Sequence, residues 1–293
     1  MIVNRYKKKI MVRRLWDRFI KNEKATTKEE ECCRYKNAFY QKYGEGFSEP
    51  KIETIQIETI NRCNGTCSFC PVNKYVDSRK MTQMEPELFK KIIQELVDMN
   101  YTGRIALFSN NEPLLDFDIE KKAEYVKKKL PKSFVYLYTN GTLMNVERFK
   151  KLVNWLDQMI IDNYNDNLKI NENLKKIAEL CLKDETLNKK VEIHLRKENE
   201  VLYTRGGQAP NNTKKEIRDY PCFLPFNQLI IRPDGKVSLC CSDALGKMTL
   251  GDIKIQSIKE IWTSETYSEI RGKIIEDISS IELCKYCDAK HYN

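Results

Sequence analysis

The run Asn61-Arg62-Cys63-Asn64-Gly65-Thr66-Cys67-Ser68-Phe69-Cys70-Pro71 decides how this chain is read. Its cysteines are spaced C-x3-C-x2-C. They follow residues 51–60, where Ile52, Ile55, Ile57 and Ile60 are set among polar residues in the manner of a strand. Three close thiolates can hold a 4Fe–4S cluster by three of its irons and leave the fourth open to a small molecule. Structural iron–sulfur and zinc sites usually use four protein ligands. A compact group of three therefore predicts chemistry at the metal.

Outward from this run, strands and helices alternate. Periodicity predicts further strands at residues 104–109, 134–139, 156–162 and 190–195, and helices at 85–99, 118–130, 146–155 and 168–182. Repeated βα units imply parallel strands joined by right-handed crossovers. Five units are clear and a sixth is not, which predicts an α/β fold of the partial (β/α)6 TIM-like barrel kind. Ligands of such sheets bind at the C-terminal strand ends, and the cysteine run falls there. Residues 201–221, with Arg205-Gly206-Gly207 and Pro210, read as a connector. Residues 222–293 change character. Pro233-Asp234-Gly235 is a hairpin turn between residues 226–232 and 236–240, and residues 257–275 are helical. The expected domains are a helical extension (1–50), the barrel (51–200), the connector, and a small α+β iron–sulfur domain (222–293).

The chain has 293 residues and a formal charge of +9. Residues 1–24 hold nine Lys or Arg against Asp17 and Glu23, so most of that charge lies there. Val12, Leu15, Trp16 and Phe19 give this stretch the pattern of a basic amphipathic helix. It reads as a packed helix with a solvated basic face, or as a surface for peripheral membrane contact. Nothing suggests a nucleic-acid partner. No run of the sequence is apolar enough to span a membrane, and no secretory signal is evident. Eleven cysteines in a Lys- and Glu-rich chain, seven of them in metal-like spacings, point to metal binding in a reducing cytoplasm. Two histidines, His194 and His291, leave little room for His-based acid–base catalysis.

The spacing Cys63-x3-Cys67-x2-Cys70, with Phe69 before the last cysteine, resembles the signature of the radical S-adenosylmethionine (SAM) enzymes. A zinc knuckle would need a fourth ligand, and no His or other Cys stands within 20 residues. The resemblance covers roughly residues 50–200. It implies that S-adenosylmethionine binds the open iron and is reductively cleaved to a 5′-deoxyadenosyl radical, which takes a hydrogen atom from the substrate. Flavodoxin or ferredoxin would supply the electron. Ser109-Asn110-Asn111-Glu112-Pro113 resembles the family's Gly-Gly-Glu-Pro segment, whose glutamate receives the cofactor's amino group. Here Asn110 and Asn111 replace the glycines. By the same resemblance Phe69 borders the cofactor, Arg196 pairs with its carboxylate or else forms a surface ion pair, and Asn163 contacts its ribose. Tyr138-Thr139-Asn140-Gly141 is similar to a family segment at strand three, or is a plain turn.

Cys222, Cys240, Cys284 and Cys287 resemble the ligand set of a SPASM-type auxiliary-cluster module. The chain ends six residues after Cys287 with no further cysteine. That leaves four ligands for a single second 4Fe–4S cluster, the twitch arrangement, with zinc as the alternative occupant. Cys32, Cys33 and Cys181 read as packing or surface thiols. Cys241 reads as a residue on the far face of a strand, or as a hydrogen-atom donor or substitute ligand. The resemblance implies oxidation or epimerisation of a carbohydrate-type or other small substrate. Two alternatives stand beside it: maturation of a ribosomally made peptide, for which residues 1–50 leave little room for a leader-binding domain, and a non-catalytic electron carrier or redox sensor.

Overall fold

A computed structural model describes residues 28–43 and 50–290. The basic helix expected over residues 12–19 lies outside them. The first described element, α1 (Lys28–Tyr43), packs by aromatic contacts. Its buried Tyr35, Phe39 and Tyr43 meet Phe223 and Phe226 with ring centroids 4.9–5.9 Å apart. Such pairs contribute about 0.5–1.5 kcal/mol each beyond area burial, so α1 is fixed to the segment that begins at Cys222.

The barrel runs β1 (Thr54–Ile57), α2 (Pro86–Asp98), β2 (Arg104–Ala106), α3 (Ile119–Lys129), β3 (Phe134–Thr139), α4 (Val146–Val153), β4 (Gln158–Tyr164), α5 (Glu172–Lys183), α6 (Glu185–Lys190) and β5 (Val191–Arg196). Alternation within the strands sorts side chains to two faces. Ile55, Ile57, Ile105, Val135, Leu137, Met159, Ile161 and Ile193 join the helix stripes, such as Leu88, Phe89, Ile92, Ile93 and Leu96 of α2, in one core. The intervening residues Gln56, Tyr136, Tyr138, Asp162, Tyr164, His194 and Arg196 fall on the inner face.

Then follow α7 (Leu224–Asn227), β6 (Gln228–Ile231), β7 (Lys236–Ser238), β8 (Thr249–Asp252), α8 (Ile258–Trp262), α9 (Glu265–Asp277) and α10 (Glu282–Lys285). The order of the eight-stranded sheet is β5-β4-β3-β2-β1-β6-β7-β8. Strands β1 to β5 pair in parallel as expected, and the hairpin at Pro233-Asp234-Gly235 joins β6 to β7. The expectation lacked one pairing. β6 also runs parallel to β1, with Ile55 opposite Leu229, so a sixth parallel strand comes from the C-terminal segment. The helix expected over residues 257–275 is two helices. Thr263 closes the first, and Ser264 caps the second, its side chain accepting the Tyr267 N–H at 3.2 Å. No helix among the described residues is long and apolar enough to cross a membrane.

Candidate active site

The triad loop leaves the C-terminal end of β1 and is braced at both ends by asparagines. The Asn61 amide donates to the Lys80 carbonyl at 2.7 Å, and its oxygen accepts the Thr82 N–H at 2.8 Å. The buried Asn73 amide donates to the carbonyls of Cys67 and Cys70, both at 3.1 Å. The Lys74 N–H closes back on the Gly65 carbonyl at 3.0 Å. A Cβ at Gly65 would lie 3.3 Å from the Cys63 sulfur, so glycine there leaves the sulfur room. Burial pushes the Cys63 and Cys67 thiols up to about 12, and the neighbouring cysteines add to it. Thiols such as Cys63 and Cys67, held neutral by burial, are donors that a bound cationic centre would ionise. Among the described residues no three His, Cys, Asp or Glu side chains close around one metal ion. The thiolates of a cluster bind separate irons and need no such common centre.

The loops after β2 and β3 meet over this triad. Glu112 is 1% exposed. Its carboxylate accepts the Thr139 hydroxyl at 2.6 Å, the Asn140 N–H at 2.7 Å and the Leu114 N–H at 2.9 Å. It thereby holds Asn140, whose Nδ2 lies 2.8 Å from the Asn64 side-chain oxygen and 3.9 Å from the Cys63 sulfur. A carboxylate offers about four acceptor sites, and three are used here. Arg79, which no motif marked, joins the same loops from below. It donates to the Asn61 carbonyl at 3.0 Å and the Asn110 carbonyl at 2.9 Å, and pairs with buried Glu58 at 3.1 Å and Asp77 at 3.0 Å.

The two asparagines that replace glycines do different things. Asn111 turns its oxygen to the Ser109 N–H at 2.9 Å and leaves Nδ2 buried without a partner. An orphaned buried donor of this kind fits a bound carboxylate or carbonyl. Asn110 points to the C-terminal segment, where its amide donates to the Cys241 carbonyl at 3.1 Å and its oxygen accepts from Arg205.

Asn163 is 5% exposed and braces the turn after β4, accepting the Asn171 N–H at 3.2 Å. Arg196 binds Glu200 at 2.5 Å and stacks over Tyr164 at 5.8 Å. Tyr164 in turn contacts Phe69, with centroids 5.6 Å apart. Phe69, Tyr164 and Arg196 therefore form one wall beside Cys70. His194 lies between Asp162 at 3.0 Å and Glu192 at 3.4 Å, and hydrogen bonds to Asp162 first and Glu192 second raise it to about 9.

Cys222, Cys240, Cys284 and Cys287 are all buried and form a second thiol cluster. Cys222 precedes α7, Cys240 follows β7, Cys284 lies in α10, and Cys287 follows it, its N–H bonded to the Cys284 carbonyl at 3.0 Å. Burial first, and neighbouring cysteines after it (Cys241 foremost for Cys240, Cys222 for Cys284), drive Cys240 and Cys284 upward. Cys240 and Cys284 therefore need nearby cationic charge to ionise. Asp243 shapes the loop after Cys240 by accepting the N–H groups of Lys247 at 2.8 Å and Met248 at 3.0 Å.

Arg205 stands between the two cysteine sets. It is held left-handed (φ 49°), followed by Gly206 at φ 62°, where a Cβ would lie 2.7 Å from the Leu283 carbonyl oxygen. Its Nη2 donates to Asn110 and reaches the Cys241 carbonyl at 3.5 Å, while Nε is buried without a partner. The charges felt by Arg205 include those of Tyr203, Cys70, Cys241 and Tyr164. Sequence reading treated Arg205 as part of a connector. The one local signal was an arginine directly before two glycines.

Residues 57–180 match the Radical SAM superfamily, and residues 222–288 match SPASM, an iron–sulfur cluster-binding domain. The second match removes zinc as the occupant of that domain. The S-adenosyl-L-methionine-dependent 2-deoxy-scyllo-inosamine dehydrogenase of Niallia circulans is 27% identical over 236 residues, covering 80% of this chain and 92% of that protein. The crystal structure of BtrN with AdoMet and 2-DOIA superposes with a TM-score of 0.72 at 22% identity, over 84% of this chain and 98% of that one. AdoMet-bound anSMEcpe gives 0.54 at 16% identity, over 81% and 86%. These likenesses establish the partial barrel.

Proposed function

The chain belongs to the radical SAM superfamily and carries a SPASM-type iron–sulfur domain, and from that membership we propose that it oxidises one alcohol of an aminocyclitol, sugar or similar small polyol to a ketone. Its cofactors are S-adenosylmethionine, the 4Fe–4S cluster that binds it, and an auxiliary 4Fe–4S cluster. We assign the first cluster to Cys63, Cys67 and Cys70 and the second to Cys222, Cys240, Cys284 and Cys287. When bound, the first cluster and S-adenosylmethionine supply a hydrogen-abstracting 5′-deoxyadenosyl radical, and the auxiliary cluster supplies a one-electron acceptor. The relative from Niallia circulans, named as a dehydrogenase of 2-deoxy-scyllo-inosamine, supports the reaction class.

A ketone forms when the substrate carbon gives up its hydrogen atom and the substrate then loses the hydroxyl proton and one electron. The chain's own groups must orient that hydroxyl between the two cysteine sets. The observation that carries the reading is Arg205, a partly buried guanidinium whose Nε–H is buried and unpartnered at that place. A cation with a spare donor suits a substrate oxygen that becomes more negative as its proton leaves. For the methionine end of the cofactor we assign the free Nδ2 of Asn111 and the guanidinium of Arg196 to the carboxylate, and the remaining lone pair of Glu112 to the ammonium. We place the protein in a reducing cytoplasm, with flavodoxin or ferredoxin as electron donor.

The test is anaerobic reconstitution, reduction, and incubation with S-adenosylmethionine and a panel of aminocyclitols and sugars. The expected result is one ketone per 5′-deoxyadenosine for at least one polyol, and neither product with Cys63→Ala. Deoxyadenosine formation with no polyol oxidised, alongside modification of a peptide substrate, would overturn the reading.

A further inference from the structure

Arg218 is 3% exposed, and no carboxylate among the described residues pairs with it. Its donors are nonetheless engaged. Nε donates to the Tyr220 carbonyl at 2.8 Å, Nη1 to the carbonyls of Cys287 at 3.3 Å and Ala289 at 2.9 Å, and Nη2 to the Pro221 carbonyl at 2.8 Å. The guanidinium lies over the Tyr220 ring at 4.1 Å. The neighbouring acid, Asp288, turns its carboxylate to Thr204 instead, at 2.7 Å from the N–H and 3.0 Å from the hydroxyl. Arg218 thus gathers the backbone on both sides, just before Cys222 and from Cys287 onward, and places a full positive charge between them.

Removing a cation from water costs several kcal/mol unless negative charge opposes it. Carbonyl dipoles offset part of that cost. The hydrogen bonds of Arg218 reach the carbonyl of Cys287 and that of Pro221, next to Cys222, and these two cysteines acquire full negative charge as thiolates. A cluster held by four thiolates is anionic and gains one more negative charge on reduction. A fixed cation at low dielectric stabilises the reduced form more than the oxidised one. Lysine would not reproduce this, because it lacks the planar fork that reaches four carbonyls at once.

We propose that Arg218 is a positioning residue of the auxiliary centre, whose charge, fixed on the backbone beside Cys222 and Cys287, raises that centre's reduction potential and so draws the substrate's electron to it. This inference rests on the dehydrogenase reading above. Arg205 faces the substrate side of the module, whereas Arg218 lies on the side of Tyr220 and α1.

An EPR-monitored redox titration of the full-length holoenzyme tests it, with bound S-adenosylmethionine separating the two clusters' signals. Arg218→Gln is expected to lower the auxiliary midpoint by about tenfold in the one-electron equilibrium, or 59 mV, and to leave the first cluster's midpoint unchanged. Arg218→Lys falls between that variant and the wild type. An unchanged auxiliary midpoint in an Arg218→Gln protein that retains about eight irons per chain overturns the proposal. If that variant fails to hold the auxiliary cluster, Arg205→Ala holoenzyme labelled with [15N]arginine, which lacks the other arginine placed beside this module, decides. Electron spin-echo modulation from 15N on the reduced auxiliary cluster is expected, and its absence overturns the assignment. A wild-type enzyme that forms no ketone, while Arg218→Gln still shifts the potential, would sink the dehydrogenase reading and keep this one.

Discussion

The guanidinium of Arg205 donates to the side-chain oxygen of Asn110, 95 positions earlier in the sequence. The same asparagine donates to the Cys241 carbonyl at 3.1 Å. One side chain therefore ties the loop after β2, the connector and the auxiliary module together. A glycine at position 110 would have no amide to make this bridge, which gives a physical reason for the departure from the family's Gly-Gly pattern.

Arg205→Ala is expected to uncouple the reaction. The first cluster's loop does not depend on Arg205, so 5′-deoxyadenosine formation should persist. Ketone formation should fall by about 10²-fold, the scale of losing a charge-stabilising donor at a reacting oxygen. The ratio of the two products, measured by chromatography, checks this. An unchanged ratio would remove Arg205 from the substrate site.

Cys284→Ala removes one of the four auxiliary thiols. Iron should drop from about eight to about four per chain, and polyol oxidation should be lost while cleavage of S-adenosylmethionine continues. Iron analysis together with product analysis distinguishes this from general misfolding, in which both activities would vanish.

Arg79→Met leaves Glu58 buried without its cation. Burial already pushes the Glu58 carboxyl up to about 7, and the Arg79 guanidinium works against that. Breaking one side of a buried pair costs about 3–5 kcal/mol, and the loss should appear as a lowered denaturation midpoint. Adding Glu58→Gln to Arg79→Met should recover part of it. Full additivity of the two losses would mean that the pair is not coupled.

His194 gives stability a pH dependence. Its pKa rises from an unfolded value of 6.5 to about 9 through hydrogen bonds to Asp162 and Glu192. The bound proton therefore stabilises the fold fully below pH 6.5, and that stabilisation is lost as pH rises through about 9. The side chain is only half-buried, and solvent screening leaves about 1–2 kcal/mol of effect. Denaturation midpoints across this window should fall in the wild type and stay flatter in His194→Gln.

Local spacing carried much of the architecture. Strand β3 is Phe134–Thr139, the range its periodicity predicts, because alternation is written into neighbouring residues. The predicted fourth strand starts two residues before Gln158, since Leu156 and Asp157 extend its pattern while pairing to β3 begins at Gln158. The hairpin between β6 and β7 was equally legible in Pro233-Asp234-Gly235. The pairing of β6 to β1 was not, because a buried strand such as Gln228–Ile231 carries no mark of which partner it will meet.

The same division holds at the site. The sequence by itself determined the two cysteine sets, their strand-end placement and the acidic residue after β2, since ligand spacing and turn chemistry are short-range features. Only the tertiary structure decided that Asn110 turns away to Arg205 while Asn111 keeps a free donor, that Asn140 is held against Cys63 by Glu112, and that Arg218 lies behind Cys222. The reason is that the deciding partners come from distant segments: Arg205 meets the side chain of Asn110, Asn140 that of Asn64, and Arg218 the carbonyls of Cys287 and Ala289. A carbonyl is present at every residue, so the sequence offers no pattern that foretells which ones a buried guanidinium will find.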